Sequence, residues 1–124
     1  MEPNLDTYRP NRTSFYVFNA CGCEGAGSYV EESVMLQEWV HFVGTVDTEA
    51  NNGNGAIKWY KNGTLRDTDT LSGYNITPKN GNAPVRVGTR DFNSYFKGAI
   101  DNLLIYNRVL SAAEVMQLYN DTTR

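Results

Sequence analysis

Cysteine and histidine are scarce in this chain. Only Cys21 and Cys23 occur, in NACGCEG, and His41 is the one histidine. Zinc would want two more thiolate or imidazole ligands beside the two cysteines. A disulfide across a single residue needs a strained ring. Two free thiols beside a glycine-rich turn are therefore expected, with a redox role as the alternative. Positive charge is also thin: 11 Lys and Arg stand against 14 Asp and Glu, a net −3. The basic residues are scattered, and a nucleic-acid partner wants a basic stripe. Long apolar runs are missing as well. None approaches the ~18 residues of a membrane span. The opening MEPNLDTYRP is polar and holds no signal-peptide core, which leaves a cytoplasmic chain or a mature chain trimmed of its leader.

What is present points to β-structure. Eight Tyr, five Phe and 11 Gly, with repeated Asn-Gly pairs, fit strands joined by tight turns. A length of 124 residues suits one domain and is too short for two. The polar segment 1–13, with two prolines, reads as an arm. Strands are expected at 13–20 (TSFYVFNA), 27–33 (GSYVEES), 38–47 (EWVHFVGTVD), 56–63 (AIKWYKNG), 64–69 (TLRDTD), 85–89 (VRVGT) and 98–107 (GAIDNLLIYN). The 38–47 stretch is apolar on both faces, as a strand held between layers would be. Asn62-Gly63 is a strong two-residue hairpin signal. Segment 48–55 (TEANNGNG) reads as a turn, and 75–84 as loop.

One helix is expected, near the end. In SAAEVMQLY, Ser111 as N-cap places Glu114 at the third helical position, a capping box. Leu110 and Val115 flank it as a hydrophobic staple. Val115, Leu118 and Tyr119 share one side. Two turns cannot stand alone in water, so this helix must lean on a sheet.

The blocks EWVHFVGTVD, IKWYKNGTL, PVRVGT and YFKGAIDNLLIYNRVLSAAEVMQLY, in this order, resemble the laminin G-like, concanavalin A-like domains of bacterial carbohydrate-associated proteins. The resemblance covers roughly residues 38–119. It implies an all-β fold, an antiparallel jelly-roll β-sandwich with one short C-terminal α-helix. It also implies a secreted or extracellular setting. The family's usual Asp-Gly-rich N-terminal segment is not found. A shortened sandwich leaves strand edges and an apolar face open, so a homo-oligomer is expected.

A sugar ring presents an apolar face and a hydroxyl rim, so its site needs an aromatic plate beside hydrogen-bonding groups. Two places supply this mixture. One is RDFNSYF, with Arg90, Asp91, Phe92, Asn93 and Tyr95. The other is KWYKN, with Trp59 and Tyr60, together with Tyr74. Trp59, next to Ile57 in the pattern, also suits a core, and Trp39 is expected in the core because the family keeps a tryptophan there. No cofactor is required. The resemblance implies calcium through Asp101, although calcium takes six to eight oxygens.

Catalysis is not expected. Polysaccharide hydrolysis uses two carboxylates flanking the cleaved bond. Glu31 and Glu32 are adjacent and face opposite ways. Glu38 has no partner two positions away, and Asp67 and Asp69 sit by a hairpin end in a polar stretch. His41 lies among core residues, where a triad base would not be. The four Asn-x-Ser/Thr triplets, at Asn11, Asn62, Asn75 and Asn120, are close to chance in an Asn- and Thr-rich chain. The expected function is a non-catalytic, lectin-like module for a polysaccharide. A protein-interaction or adhesion domain completed by oligomerisation is the alternative, and a glycoside hydrolase comes third.

Overall fold

A computed structural model describes residues 11–19, 21, 24–32, 38–74, 76, 81–89 and 93–122. Strands β1 (Arg12–Phe18) and β2 (Gly25–Glu31) pair as an antiparallel hairpin. Strands β3 (Phe42–Asp47), β4 (Ala56–Lys61) and β5 (Thr64–Asp69) form a second antiparallel sheet in that spatial order. Arg12 and Thr13 belong to β1, so the expected arm is shorter than 1–13. Residues 1–10 lie outside the described residues. Between β3 and β4, α1 (Ala50–Gly53) is a single helical turn in which Asn51 and Asn52 are left-handed, at φ 55° and 58°. Asparagine tolerates that region better than most residues. Asp47 Oδ1 fixes the turn by accepting the amides of Glu49 and Ala50, at 3.0 and 3.1 Å.

Strand β4 is central because both its faces are covered. On one face Trp59 stacks between two phenylalanines, Phe15 of β1 and Phe42 of β3. Ring centroids lie 5.9 and 5.0 Å away with interplanar angles of 9° and 4°. The indole N–H donates to Thr13 Oγ1 at 3.3 Å. Gly44 pairs with Trp59 across the ladder. A Cβ on Gly44 would stand 2.5 Å from the Phe15 ring, so only glycine lets Phe15 lie down on β3. Beside this stack, Ala26, Ile57, Leu71 and Ile76 are buried together with Phe15, Val17 and Val46 against them. Each full aliphatic burial contributes about 1.5–3 kcal/mol. Ser28 is buried here too, and it is satisfied by donating to the Ile57 carbonyl at 2.8 Å.

The other face of β4 meets the chain's end. Tyr60, Leu110 and Val115 are buried together, with Val43 and Leu118 beside them. Val115 belongs to helix α2 (Ala112–Thr122). The capping box forms as the sequence predicts. The Ser111 amide donates to Glu114 Oε2 at 2.8 Å, and the Glu114 amide donates to Ser111 Oγ at 3.2 Å. The staple residues Leu110 and Val115 both reach the Tyr60 cluster. Arg108 adds a two-pronged pair to Glu114, at 3.0 and 2.9 Å.

Lys61 and Thr64 close the β4–β5 hairpin around Asn62 and Gly63, whose φ values of 49° and 79° are both positive, as a type I′ turn requires. Asn62 also anchors the start of β3. Its amide donates to the His41 carbonyl at 2.8 Å, and its side-chain oxygen accepts the His41 amide at 3.0 Å. A register shift comes after Trp59, so Trp59 faces Asp67 while Tyr60 faces Leu65. Arg66 is the extra residue of this bulge, and it joins Lys61 in pairing with Glu32.

Several expectations are corrected. Segment 98–107 is not a strand. Asn102 takes a left-handed φ of 54°, and Asp101 Oδ1 accepts the Asn102 amide at 2.7 Å. That local bond competes with a ladder, and Ile100, Leu103, Leu104 and Ile105 are left exposed. Segment 85–89 is not a strand either, being cut by Gly88 at φ 82°; only Thr89 bridges, to Tyr95. Strand β3 starts at Phe42 rather than residue 38. Trp39 therefore precedes the ladder and is 54% exposed instead of core. Cys21 is disulfide-bonded, not free. It sits in a loop whose neck is closed by the Asn19 amide on the Glu24 carbonyl at 2.9 Å. The chain's other cysteine, Cys23, lies outside the described residues.

The cap is also a proton-sensitive element. The Arg108 side chain, then the Ser111 amide, hold the Glu114 carboxyl down at about 2 from an ordinary 4.5. A depressed carboxyl contributes stability that is complete above about pH 4.5 and is lost as pH falls towards 2. Urea unfolding of the wild type should show this loss. Glu114→Gln should flatten that part of the profile, and added salt should shrink it because the pair is exposed. Ser111→Ala should cost about 1 kcal/mol at neutral pH.

Candidate functional site

The residues singled out from the sequence fall in different surroundings. Trp59 lies between the two sheets with a phenylalanine on each side. It binds the layers together and offers no open plate. Tyr60 is 2% exposed and packs under α2, where burial pushes its phenol up. Tyr74 ends a single 3-10 turn, Ser72–Tyr74. Arg90, Asp91 and Phe92 lie outside the described residues. Asn93 and Tyr95 are exposed in a tight loop.

That loop is the wettest aromatic place on the described surface. The Phe96 amide donates to the Gly88 carbonyl at 2.7 Å, Thr89 bridges Tyr95, and Thr89 Oγ1 donates to the Ser94 carbonyl at 2.8 Å. The bridge with its backbone bond, and the Thr89 hydroxyl bond, tie residues 88–89 to 94–96. Tyr95 is 68% and Phe96 60% exposed. Phe96 was missed as a site residue by sequence reasoning. Adjacent residues face opposite ways in a strand, so one of the pair would be expected inside. Only the absence of a ladder beyond the bridge, among the described residues, lets both stay outside.

A concave feature is lined by other residues. A cleft of about 290 Å³ opens between the β3–β4 face and the residues that lead into α2. Thr45, Asp47, Lys58 and Tyr60 line the sheet side, and Ser111 and Ala112 line the helix side. Thr45 and Lys58 are direct cross-strand partners. Ala50 and Ala56 also line it, and their short side chains leave the space open. Of the residues expected to bind sugar, Tyr60 is the one that reaches this cleft.

The carboxylates have other occupations. Glu32 is paired with Lys61 and Arg66, and these two hold its carboxyl below the ordinary range. Asp67 Oδ2 accepts the Tyr29 amide at 2.9 Å, which ties β2 to β5, and Asp69 Oδ1 accepts the Thr70 amide at 2.8 Å. His41 lies against Tyr119 with ring centroids 5.9 Å apart. Its Nδ1 is buried with no hydrogen-bond partner among the described residues, and desolvation pushes its pKa down. Asp101 is exposed, with one oxygen on the Asn102 amide. Among the described residues, no group of three or more His, Cys, Asp or Glu gathers anywhere. Calcium takes six to eight oxygens, and among the described residues Asp101 is not joined by two further carboxylates. No helix among the described residues is long and apolar enough to cross a membrane.

Two stacked antiparallel sheets closed by one C-terminal helix define an all-β sandwich. The profile of the concanavalin A-like lectin/glucanases superfamily matches residues 6–116. The chain belongs to this family. The match begins well before β1, so the N-terminal hairpin is part of the family domain and not an addition to it. No curated protein and no solved structure matches the chain.

The two aromatic positions, Trp59 and Tyr95, should separate cleanly in stability. Trp59→Ala removes the middle ring of a three-ring stack and should cost about 3 kcal/mol in chemical unfolding. Tyr95→Ala, on an exposed loop, should stay within about 0.5 kcal/mol of wild type.

Proposed function

We propose that this domain is a non-catalytic carbohydrate-binding module that docks a polysaccharide on the hairpin of Tyr95 and Phe96. The observation that carries the reading is the pair of exposed rings on a backbone tied by the Thr89–Tyr95 bridge and the Thr89 hydroxyl. Exposed aromatic faces of this kind suit the apolar face of a sugar ring, and a backbone ordered before binding loses little entropy when a ligand settles on it. Lectin-like membership supports the ligand class. The family also contains glucanases, and the carboxylates argue against hydrolysis here. Asp67, Asp69 and Glu32 are each engaged with backbone amides or basic side chains, so they are not set as an acid and base about a cleavage point.

A second reading is an adhesion or self-association domain. It is favoured by the exposed run Ile100, Leu103, Leu104 and Ile105, since contiguous exposed apolar surface marks contact sites.

Affinity electrophoresis through gels holding glucan, xylan or mannan tests the first reading. The wild type should be retarded in at least one gel. Tyr95→Ala and Phe96→Ala should each run several-fold freer with unchanged unfolding curves. Mobility unaffected by any polysaccharide, combined with a dimer by light scattering that Leu104→Asp disperses, would replace it with the second.

A further inference from the structure

The cleft beneath the start of α2 is not used by the hairpin site. It is a built cavity with unspent polar groups. Thr45 and Tyr60 are 6% and 2% exposed, and both line it. Neither hydroxyl has a hydrogen-bond partner among the described residues, and neither is sealed from solvent. Both hydroxyls are therefore left to bond solvent or a ligand. Lys58 pairs across the ladder with Thr45 and is half-buried. Lys61, Arg66 and Arg108 each have a carboxylate. Lys58 has none among the described residues, and it lines the same cleft.

The opposite wall is the start of α2. Ser111 and Ala112 bring the first turn of the 11-residue helix to the cleft. The positive end of the helix is already met by the Glu114 carboxylate on the Ser111 amide. The Ser111 hydroxyl oxygen accepts the Glu114 amide, while its own O–H is left to donate. Lys58 is therefore the group that favours an anion. Also on the lining, Asp47 accepts the Glu49 and Ala50 amides on Oδ1 and keeps Oδ2 for a hydroxyl donor. Asp47 lies two residues along β3 from Thr45, about 7 Å of strand. The lining therefore holds one cation and several groups that bond hydroxyls. Its 290 Å³ is near the lower limit of ligand pockets, about 300 Å³, which suits one ring and no more.

We propose that this cleft is a second binding site, which takes a single acidic sugar unit, with its anionic group on Lys58 and its hydroxyls on Thr45, Tyr60, Ser111 and Asp47. That the ligand is a sugar rests on the carbohydrate reading of the domain; the cleft itself is independent of the Tyr95 hairpin.

The test is titration of the full chain, by calorimetry and by amide chemical shifts, with glucuronate, glucose and inorganic sulfate. Glucuronate should bind saturably, at least tenfold tighter than either of the other two, and should move the amides of Thr45, Lys58 and Ala112. Lys58→Met should abolish the preference for glucuronate over glucose. Ala112→Leu, which fills the cleft and leaves the lysine in place, should abolish binding; unfolding curves check both variants. Tyr95→Ala should leave glucuronate binding untouched, whether or not it loses polysaccharide. Three results overturn the site: no saturable shifts with glucuronate, sulfate binding equal to glucuronate, or binding that survives Ala112→Leu in a folded protein. Polysaccharide retention lost in Tyr95→Ala while glucuronate fails would leave the hairpin reading standing and remove only the cleft.

Discussion

Strand β4 alternates Ile57 and Trp59 with Lys58 and Tyr60, and neither face can be left to water. One face takes the first hairpin, through the stacked rings of Phe15, Trp59 and Phe42. The other takes the end of the chain, through Tyr60 against Leu110 and Val115. Every other arrangement is subordinate to this double burial. The glycine at position 44, the bulge after Trp59 and the cap of α2 each serve to bring a cover onto β4.

Polar groups then fix what apolar burial only roughly positions. Ser28 bonds the Ile57 carbonyl, Asp67 bonds the Tyr29 amide, and Thr13 takes the Trp59 indole proton. Each ties the first hairpin to the second sheet through a different residue, so the two layers have one relative placement. The same economy explains the surface chemistry. Asp67 and Glu32 are occupied as ties, whereas Lys58 has no carboxylate among the described residues.

The sequence was legible wherever a local rule was also the winning rule. Strand β5 was read at its true bounds because Asn62-Gly63 forces a two-residue turn and so sets where the returning strand begins. The capping box and staple of α2 were legible because Ser111, Glu114, Leu110 and Val115 lie within a few residues of each other. Segment 98–107 failed because its β-branched and apolar pattern is only a request for a partner strand. Whether a partner arrives is a tertiary matter, and Asp101 with Asn102 closes the backbone on itself instead. Trp39 failed for a similar reason, since its burial depended on a ladder that begins three residues later.

The sequence by itself determined the class of fold, the hairpins and the closing helix, because turn chemistry, capping and alternation operate over a few residues. It also named the rings from which a sugar plate could be made. Tertiary structure alone decided which rings are wet. Trp59 and Tyr60 are consecutive and equally aromatic, yet opposite layers cover both. Tyr95 and Phe96 stay outside because no described element packs over their loop. The cleft was invisible in the sequence for the same reason: Thr45, Lys58 and Ser111 come from three separate segments, and only the docking of α2 on the sheet puts them around one space.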